Sequence, residues 1–338
     1  MTIEASASTD YEILLRAGFP YIRTLGMRRL TWYPRDFVLT NERIYSLARM
    51  ESTGSIRVIS LEDEDLGPFG PSWIWPSSII QDQVTGHLYV SDEATHEITV
   101  LNTDGEEVTR WGVHGTGPGE LNRPAFMAFS QSGDIWIADA LNHRLQLFSK
   151  EGEFIKTFGG LGAEPGLFDT PWGIAVDNND DVYVSDWRND RVQKFSSDGD
   201  FIMQFGSSGT ERGQLNRPAG IAVDNDGDIY VCDRGNDRVE LFDRNGRYVE
   251  QFIGDATLST MARIYILANA KVLRLRDMTD LEDQKRFRAP SAVHLDNEGN
   301  MYVADSNSHR FQVYKKESYR LNSEEVMDRP RSPHLYTV

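Results

Sequence analysis

The stretch Pro171–Phe195, PWGIAVDNNDDVYVSDWRNDRVQKF, recurs almost letter for letter, and this repetition constrains the fold more than any other feature of the chain. Copies start at Pro124, Pro218 and Pro290, and two fainter ones at Pro76, with an extra residue in its first turn, and at Pro34, with a longer second turn. Each copy holds three apolar runs of period two, separated by Asn/Asp/Gly-rich turns, which is the pattern of short antiparallel strands. Most copies add a fourth run, such as GEFIKTFG at 152–159 or GDFIMQFG at 199–206. Four strands per unit and six units predict an all-β chain, a six-bladed β-propeller of four-stranded blades. The opening prolines lie 42, 48, 47, 47 and 72 residues apart, so the wide last interval holds an insertion between blades 5 and 6.

The residue order P-x-G-I-A-V-D, then D-I-Y-V-x-D, then N-x-R-V resembles the NHL repeat, and the resemblance covers about residues 34–318. A more distant similarity is to peptidyl-α-hydroxyglycine α-amidating lyase, itself a six-bladed NHL-like propeller. That similarity implies a catalytic arginine directly after the Asp of a second turn, a place held here by Arg234 in CDRGNDRVELF. It also implies a tyrosine in another second turn, where this chain offers only Trp187 or Arg188. The family's zinc histidines flank the blade-opening prolines. Here the residues after the prolines are Arg35, Ser77, Ala125, Trp172, Ala219 and Ser291, and those before them are Tyr33, Trp75, Arg123, Thr170, Arg217 and Ala289. None is a histidine, so the zinc site does not carry over, and neither a metal nor a cofactor is expected.

Because the repeats tile nearly all of the 338 residues, one domain is expected over 11–318. Residues 1–10 read as disordered, 11–33 as a closing segment whose FPYIRTLG supplies the missing outer strand of the last blade, and 319–338 as a polar tail. Within 255–289, Leu258, Met261, Tyr265, Ala268, Val272 and Leu275 recur at helical steps, and Thr279 with Glu282 forms a capping-box pattern for a second helix. The first helix is expected to lie as a lid over the face that carries blade connectors and second turns. Leu258, Met261, Tyr265 and Val272 should turn inward, and Arg263, Lys271 and Asp277 outward. The glycines of the connectors at 112–124, 159–171 and 206–218 are expected to supply positive φ.

A formal net charge of −17 argues against a nucleic-acid partner, which needs a basic surface. The single cysteine, Cys232, allows no disulfide within the chain and fits a reducing compartment. No secretory leader pattern and no apolar run of membrane-spanning length is present, so a cytoplasmic protein without a membrane partner is expected.

The second turns share an Asp and an Arg: Asp139 with Arg144, Asp186 with Arg191, Asp233 with Arg238, and Asp305 with Arg310. Four identical pairs in four blades read as structural, as do His143 and His309; in blade 2 the pair becomes Asp92 with Glu97, which cannot form that bridge. What varies is the next residue: Arg49, Glu93, Ala140, Trp187, Arg234 and Ser306, with Arg188 following Trp187. Propeller symmetry gathers these positions around one mouth. Arg49, Arg188 and Arg234 there would bind an anion, since a guanidinium matches carboxylate or phosphate geometry. Trp172, Trp187 and Glu93 complete the expected substrate contacts. His294 replaces the small residue of the first strand (Ala128, Ala175, Ala222) and is the candidate general base, with Arg234 as its catalytic partner. The expected function is a metal-independent lyase or hydrolase acting on a small anionic molecule. The alternative is a non-catalytic scaffold for a protein partner, or a ligand-binding propeller.

Overall fold

The computed structural model describes residues 13–269 and 281–321. Six four-stranded antiparallel sheets follow one another around a ring. A short ribbon strand, β1 (Ile13–Gly18), precedes β2 (Tyr21–Leu25). Blade 1 comprises β3 (Pro34–Leu39), β4 (Arg43–Arg49), β5 (Gly54–Ser60) and β6 (Asp65–Trp73), and blade 2 comprises β7 (Pro76–Gln81), β8 (Leu88–Asp92), β9 (Glu97–Leu101) and β10 (Glu107–Trp111). Blade 3 runs through β11 (Pro124–Phe129), β12 (Ile135–Asp139), β13 (Arg144–Phe148) and β14 (Phe154–Gly159). Blade 4 has β15 (Pro171–Val176), β16 (Val182–Asp186), β17 (Arg191–Phe195) and β18 (Phe201–Phe205). Blade 5 has β19 (Pro218–Val223), β20 (Ile229–Asp233), β21 (Arg238–Phe242) and β22 (Tyr248–Phe252). The last blade joins β23 (Pro290–Leu295), β24 (Asn300–Asp305) and β25 (Arg310–Lys315) to β2, which pairs Tyr21 with Tyr314 and Leu25 with Phe311. The ring therefore closes through its N-terminal segment, as FPYIRTLG predicts.

The burial of the strands follows their place in the blade. The second strand of blades 2 to 5 is buried at all five positions, because sheets of the two neighbouring blades cover both its faces. Outer strands are mostly exposed, as in β10 and β14. The core is a series of apolar clusters between successive blades; one of them packs Trp136, Leu145 and Phe168 of blade 3 against Ile174 and Val184 of blade 4.

The second-turn Asp is a hub. Asp139 accepts from the Asn122 N–H at 2.6 Å, and its other oxygen from Arg144 Nε and Asn142 Nδ2, both at 2.8 Å, and from Gln146 Nε2 at 3.0 Å. Arg144 also donates to the carbonyls of Gly117 and Glu120, so one Asp–Arg pair ties the second turn to the incoming connector. In blade 2, Asp92 is instead satisfied by the N–H groups of Ile74 and Ala94, and Glu97 pairs with Arg110.

Residues that end the second turns or precede the blade prolines adopt positive φ, as do most of the connector glycines, Gly115, Gly117 and Gly162 excepted. His96, His143, Asp190, Asp237 and His309 do so, and each accepts the N–H of the residue just before the next blade's proline. Those pre-proline residues, Arg123, Thr170, Arg217, Ala289 and Tyr33, also have φ between 38° and 61°. The histidines expected to be structural are Nδ1 acceptors in this chain of blade-to-blade bonds. Because the repeat flips the backbone at this point, the pre-proline side chains Tyr33, Arg123 and Thr170 reach the mouth.

The insertion between blades 5 and 6 contains α1 (Thr260–Leu267) and α2 (Leu281–Lys285). Ser259 caps α1 by accepting the Ala262 N–H at 3.2 Å. Met261 and Tyr265 are half-buried and Arg263 is exposed, as expected, but the surface they rest on is not the mouth. The Met261 N–H donates to Asp63 at 2.7 Å, and Asp63 also holds the Gly26 N–H at 2.6 Å, while Tyr265 lies 4.6 Å from the Arg29 guanidinium. α1 therefore seals the outer seam between blades 6 and 1, and no described residue of 255–289 lines the mouth cavity. The reason lies in the splice. Phe287 fills the buried place held by Phe168 in an ordinary connector, and its N–H bonds to Ile253 O at 3.0 Å. The excursion thus leaves and rejoins a normal connector at the blade's outer edge. Val272, Leu275, Lys271, Asp277 and Thr279 lie outside the described residues.

The polar tail differs from expectation in its first residues. Residues 317–321 form β26 (Glu317–Leu321), which pairs with β1 as a two-stranded ribbon. Lys316 anchors it: its ammonium, in a side chain only 4% exposed, lies 2.6–2.8 Å from Asp224, Asp226 and Asp228 of blade 5. Arg16 adds a bond to Asp228 and Arg320 one to Asp226. Among the described residues no helix is long and apolar enough to cross a membrane.

Candidate functional site

The second turns and connectors of several blades enclose a cavity of about 510 Å³ at the mouth of the ring. Every variable second-turn position singled out from the repeat lines it: Arg49, Glu93, Ala140, Trp187, Arg234 and Ser306, together with Arg188 and Trp172. Alignment of the repeat alone suffices to find the six second-turn positions, because each stands one residue beyond the residue that pairs with its blade's opening proline. Arg35 and Arg123 also line it, which brings five arginines and one carboxylate together on a strongly acidic chain.

These arginines differ in how they are held. Arg49 is paired with Glu93 at 2.7 Å and lies over the Trp75 ring at 4.7 Å; Arg123 approaches the same ring at 5.5 Å. Arg188 is 60% exposed at the rim, 3.9 Å from Asp169. Arg35 and Arg234 are the deep ones. The Arg35 guanidinium stacks on Trp172 at 4.9 Å, but its buried Nε has no hydrogen-bond partner among the described residues. Arg234 donates to the Ala289 carbonyl at 3.1 Å. Neither lies within ion-pair distance of a described carboxylate, whereas each structural arginine of the second turns has its own Asp.

The electrostatic consequence is visible in both groups. Burial, with the neighbouring charges of Arg234 and Arg49, pushes the Arg35 guanidinium down to about 9. Arg234 is lowered too, by burial first and by Arg49 among the charges. A guanidinium stays cationic at neutral pH, so the floor of the mouth holds two partly desolvated positive charges in want of an anion. Trp172 and Trp187, with ring centroids 6.0 Å apart, supply a flat apolar wall beside them.

His294 is not part of this lining. It sits on the inner strand β23, its Nε2 3.0 Å from Asp36, with its ring edge-on to Phe37 at 4.5 Å. Asp36 is only 1% exposed and also accepts from Ser78 Oγ at 2.8 Å and from the N–H groups of Phe37 and Ile79. The Met127 N–H reaches Ser78 in turn, so this network links the inner strands of blades 6, 1, 2 and 3. Among the described residues no three His, Cys, Asp or Glu side chains cluster as a metal site. Cys232 is fully buried, and burial raises its thiol far above the usual range, as for a small core residue.

Arg35, Arg123, Tyr33 and Thr170 are among the lining residues that the second-turn pattern misses. The signal was present: they flank blade-opening prolines, as does Trp172, and these positions carry the site's chemistry along with the second turns.

A family model described as NHL repeat matches residues 121–148, 168–195 and 215–242. Among solved structures, virginiamycin B lyase from Staphylococcus aureus, as a catalytically inactive histidine-to-alanine variant with quinupristin, superposes with a TM-score of 0.56 at 12% identity, over 90% of this chain and 88% of that one. The selenomethionine-substituted form of that lyase gives 0.57 at 12% identity, over 89% and 100%. A protein of unknown function from Bacteroides thetaiotaomicron gives 0.59 at 18% identity, over 91% and 76%. At these identities the likeness establishes the architecture. No curated protein matches the chain.

Proposed function

Taking the chain as an NHL-repeat six-bladed propeller, we propose that its mouth binds a small organic anion and that it acts on that anion as a lyase or hydrolase needing no metal. The observation that carries this reading is the half-buried pair Arg35 and Arg234, left without a carboxylate on a chain of net charge −17. A carboxylate or phosphate seated there would recover the desolvation of two cations and give the Arg35 Nε its missing acceptor. Trp172 and Trp187 would flank the body of the ligand, and Arg188 at the rim would draw it in. Glu93 is the one carboxylate in the lining, and it is the group positioned to accept a proton; Arg49 orients it. Arg234 also stands at the place that the amidating-lyase resemblance gives to a catalytic arginine.

A second reading, a propeller that binds the anion without converting it, is favoured by one observation: the Asp36–His294 pair, the most base-like dyad of the inner channel, does not border the cavity. The two are separated by calorimetry and mass spectrometry on one panel of carboxylates and phosphate esters. Binding should appear for some members of the panel and fall at least tenfold in Arg35→Gln and Arg234→Gln, the loss of one charge-assisted contact of about 1.5–3 kcal/mol. Turnover abolished by Glu93→Gln with binding kept would mark the enzyme, and binding without turnover the second reading. If no anion binds and neither arginine variant matters, the anion site is refuted.

A further inference from the structure

Beside the mouth lies a second hollow of about 540 Å³, lined by Trp32, Tyr33, Arg49, Met50, Glu51, Ser52 and Thr53. It shares Tyr33, Arg49 and Met50 with the mouth cavity, so the two hollows adjoin at these side chains. Its origin is in blade 1. Pro34 pairs with Ala48 as Pro124 pairs with Asp139, yet the blade 1 hairpin continues beyond that level to Arg49 opposite Gly54, whereas blade 3 ends at Asp139 opposite Arg144. The turn Met50–Thr53 therefore stands above the rim as a wall, and the connector carrying Trp32 and Tyr33 forms the shelf at its foot.

The shelf is apolar and rigid at once. Trp32 and Tyr33 are 36% and 39% exposed, unusual for such large rings. They are nevertheless fixed, with the Tyr33 N–H on His309 Nδ1 at 3.0 Å, and with His309 4.2 Å from the Tyr33 ring and 5.7 Å from Trp32. Burial and the charge of Arg28 hold the His309 imidazole below its ordinary range, and the Arg28 guanidinium lies 5.8 Å from the Trp32 ring. Exposed rings already locked in place cost little entropy when they meet a ligand.

We propose that the ligand of the mouth is an amphiphilic organic anion, with its charged head at Arg35 and Arg234 and its apolar tail on the Trp32, Tyr33 and Met50 shelf. This deepens the anion-site reading and rests on it. The shelf opens directly from a cationic pocket and ends at the exposed Glu51 and Ser52, so it suits a tail of limited length that leaves an anionic head behind.

The test is a calorimetric series on the full-length protein with acetate, butanoate, hexanoate and phenylacetate. Affinity should rise at least about tenfold from acetate to hexanoate, as each buried methylene adds to the transfer free energy. Trp32→Ser, at an exposed position outside the mouth cavity, should erase that rise while leaving acetate unchanged, and Arg35→Gln should weaken every member alike. Thermal melts of each variant confirm that the fold persists. Equal affinity for acetate and hexanoate, with the dependence on Arg35 intact, would overturn the tail assignment and leave the anion site standing. No binding by any member would overturn both.

Discussion

Glu240 shows what one residue can do against its repeat. At the same position blades 3, 4 and 6 carry Gln146, Gln193 and Gln312, whose amides donate to the second-turn Asp and to a connector carbonyl. Glu240 cannot donate while ionised; it accepts from Arg238 at 2.9 Å, and its Oε2 is buried without a partner. Burial raises its carboxyl from the ordinary 4.5 to about 7. Between these values the folded chain binds the extra proton, so this group's contribution to stability falls as pH rises from 4.5 to 7. Glu240→Gln should therefore raise the unfolding free energy from urea titration at pH 8 by about 1–3 kcal/mol, and the gain should vanish near pH 4, where Glu240 is itself a donor. A gain equal at both pH values would refute this account. The repeat makes such comparisons possible, and it also explains what was legible. Arg49, Glu93, Trp187, Arg188 and Arg234 could be placed at the mouth because symmetry converts sequence register into position. Tyr33 is harder to place, because its approach depends on the positive φ before the proline, which a non-glycine residue does not announce, and Arg35 is legible only through its match to Trp172 after the blade proline.

At the scale of elements, the strands were readable from period-two alternation, whereas the ribbon and the seating of α1 were not. β26, in ESYRL, has no alternation of its own; it is a strand because β1 offers it an edge and Lys316 fixes its root on blade 5. Those anchors are charge pairs between residues roughly 90 positions apart, which no local pattern reports. Lys316→Met should cost about 3–5 kcal/mol, because it removes the buried ammonium shared by Asp224, Asp226 and Asp228 and leaves only Arg16 on Asp228 and Arg320 on Asp226. Lys316→Arg should cost less. Denaturant titrations of the two variants decide it, and equal stability of Lys316→Met and wild type would show that the aspartates are satisfied without the clamp. The stripe of α1 predicts a helix, and the surface that helix covers is the seam between blades 6 and 1, away from the mouth. Amphipathicity states that a face is covered and not by what, and here Asp63 and Arg29 at the seam provide the cover.

For the molecule as a whole, six clusters of core residues would leave the last blade with a bare edge were it not for β2. Removal of residues 1–26 should expose the N–H and C=O groups of β25 and the apolar faces of Phe311 and Val313. We expect the truncated chain to aggregate, as read by light scattering, while a synthetic peptide spanning 13–26 added during refolding should restore monomers. A stable monomer without either would mean that the ring holds without its closing strand. The same closure sets a clock on synthesis. Tyr21 and its partner Tyr314 are roughly 290 residues apart, and at the usual pace of translation the first must wait about 15–60 s for the second to emerge. Five blades can stack in order of their appearance, but the strand made first is the one used last. Through that interval the nascent chain offers an unpaired strand and an open ring to every other chain nearby, so the ribosome's schedule as well as its sequence governs how much of this protein reaches the native state.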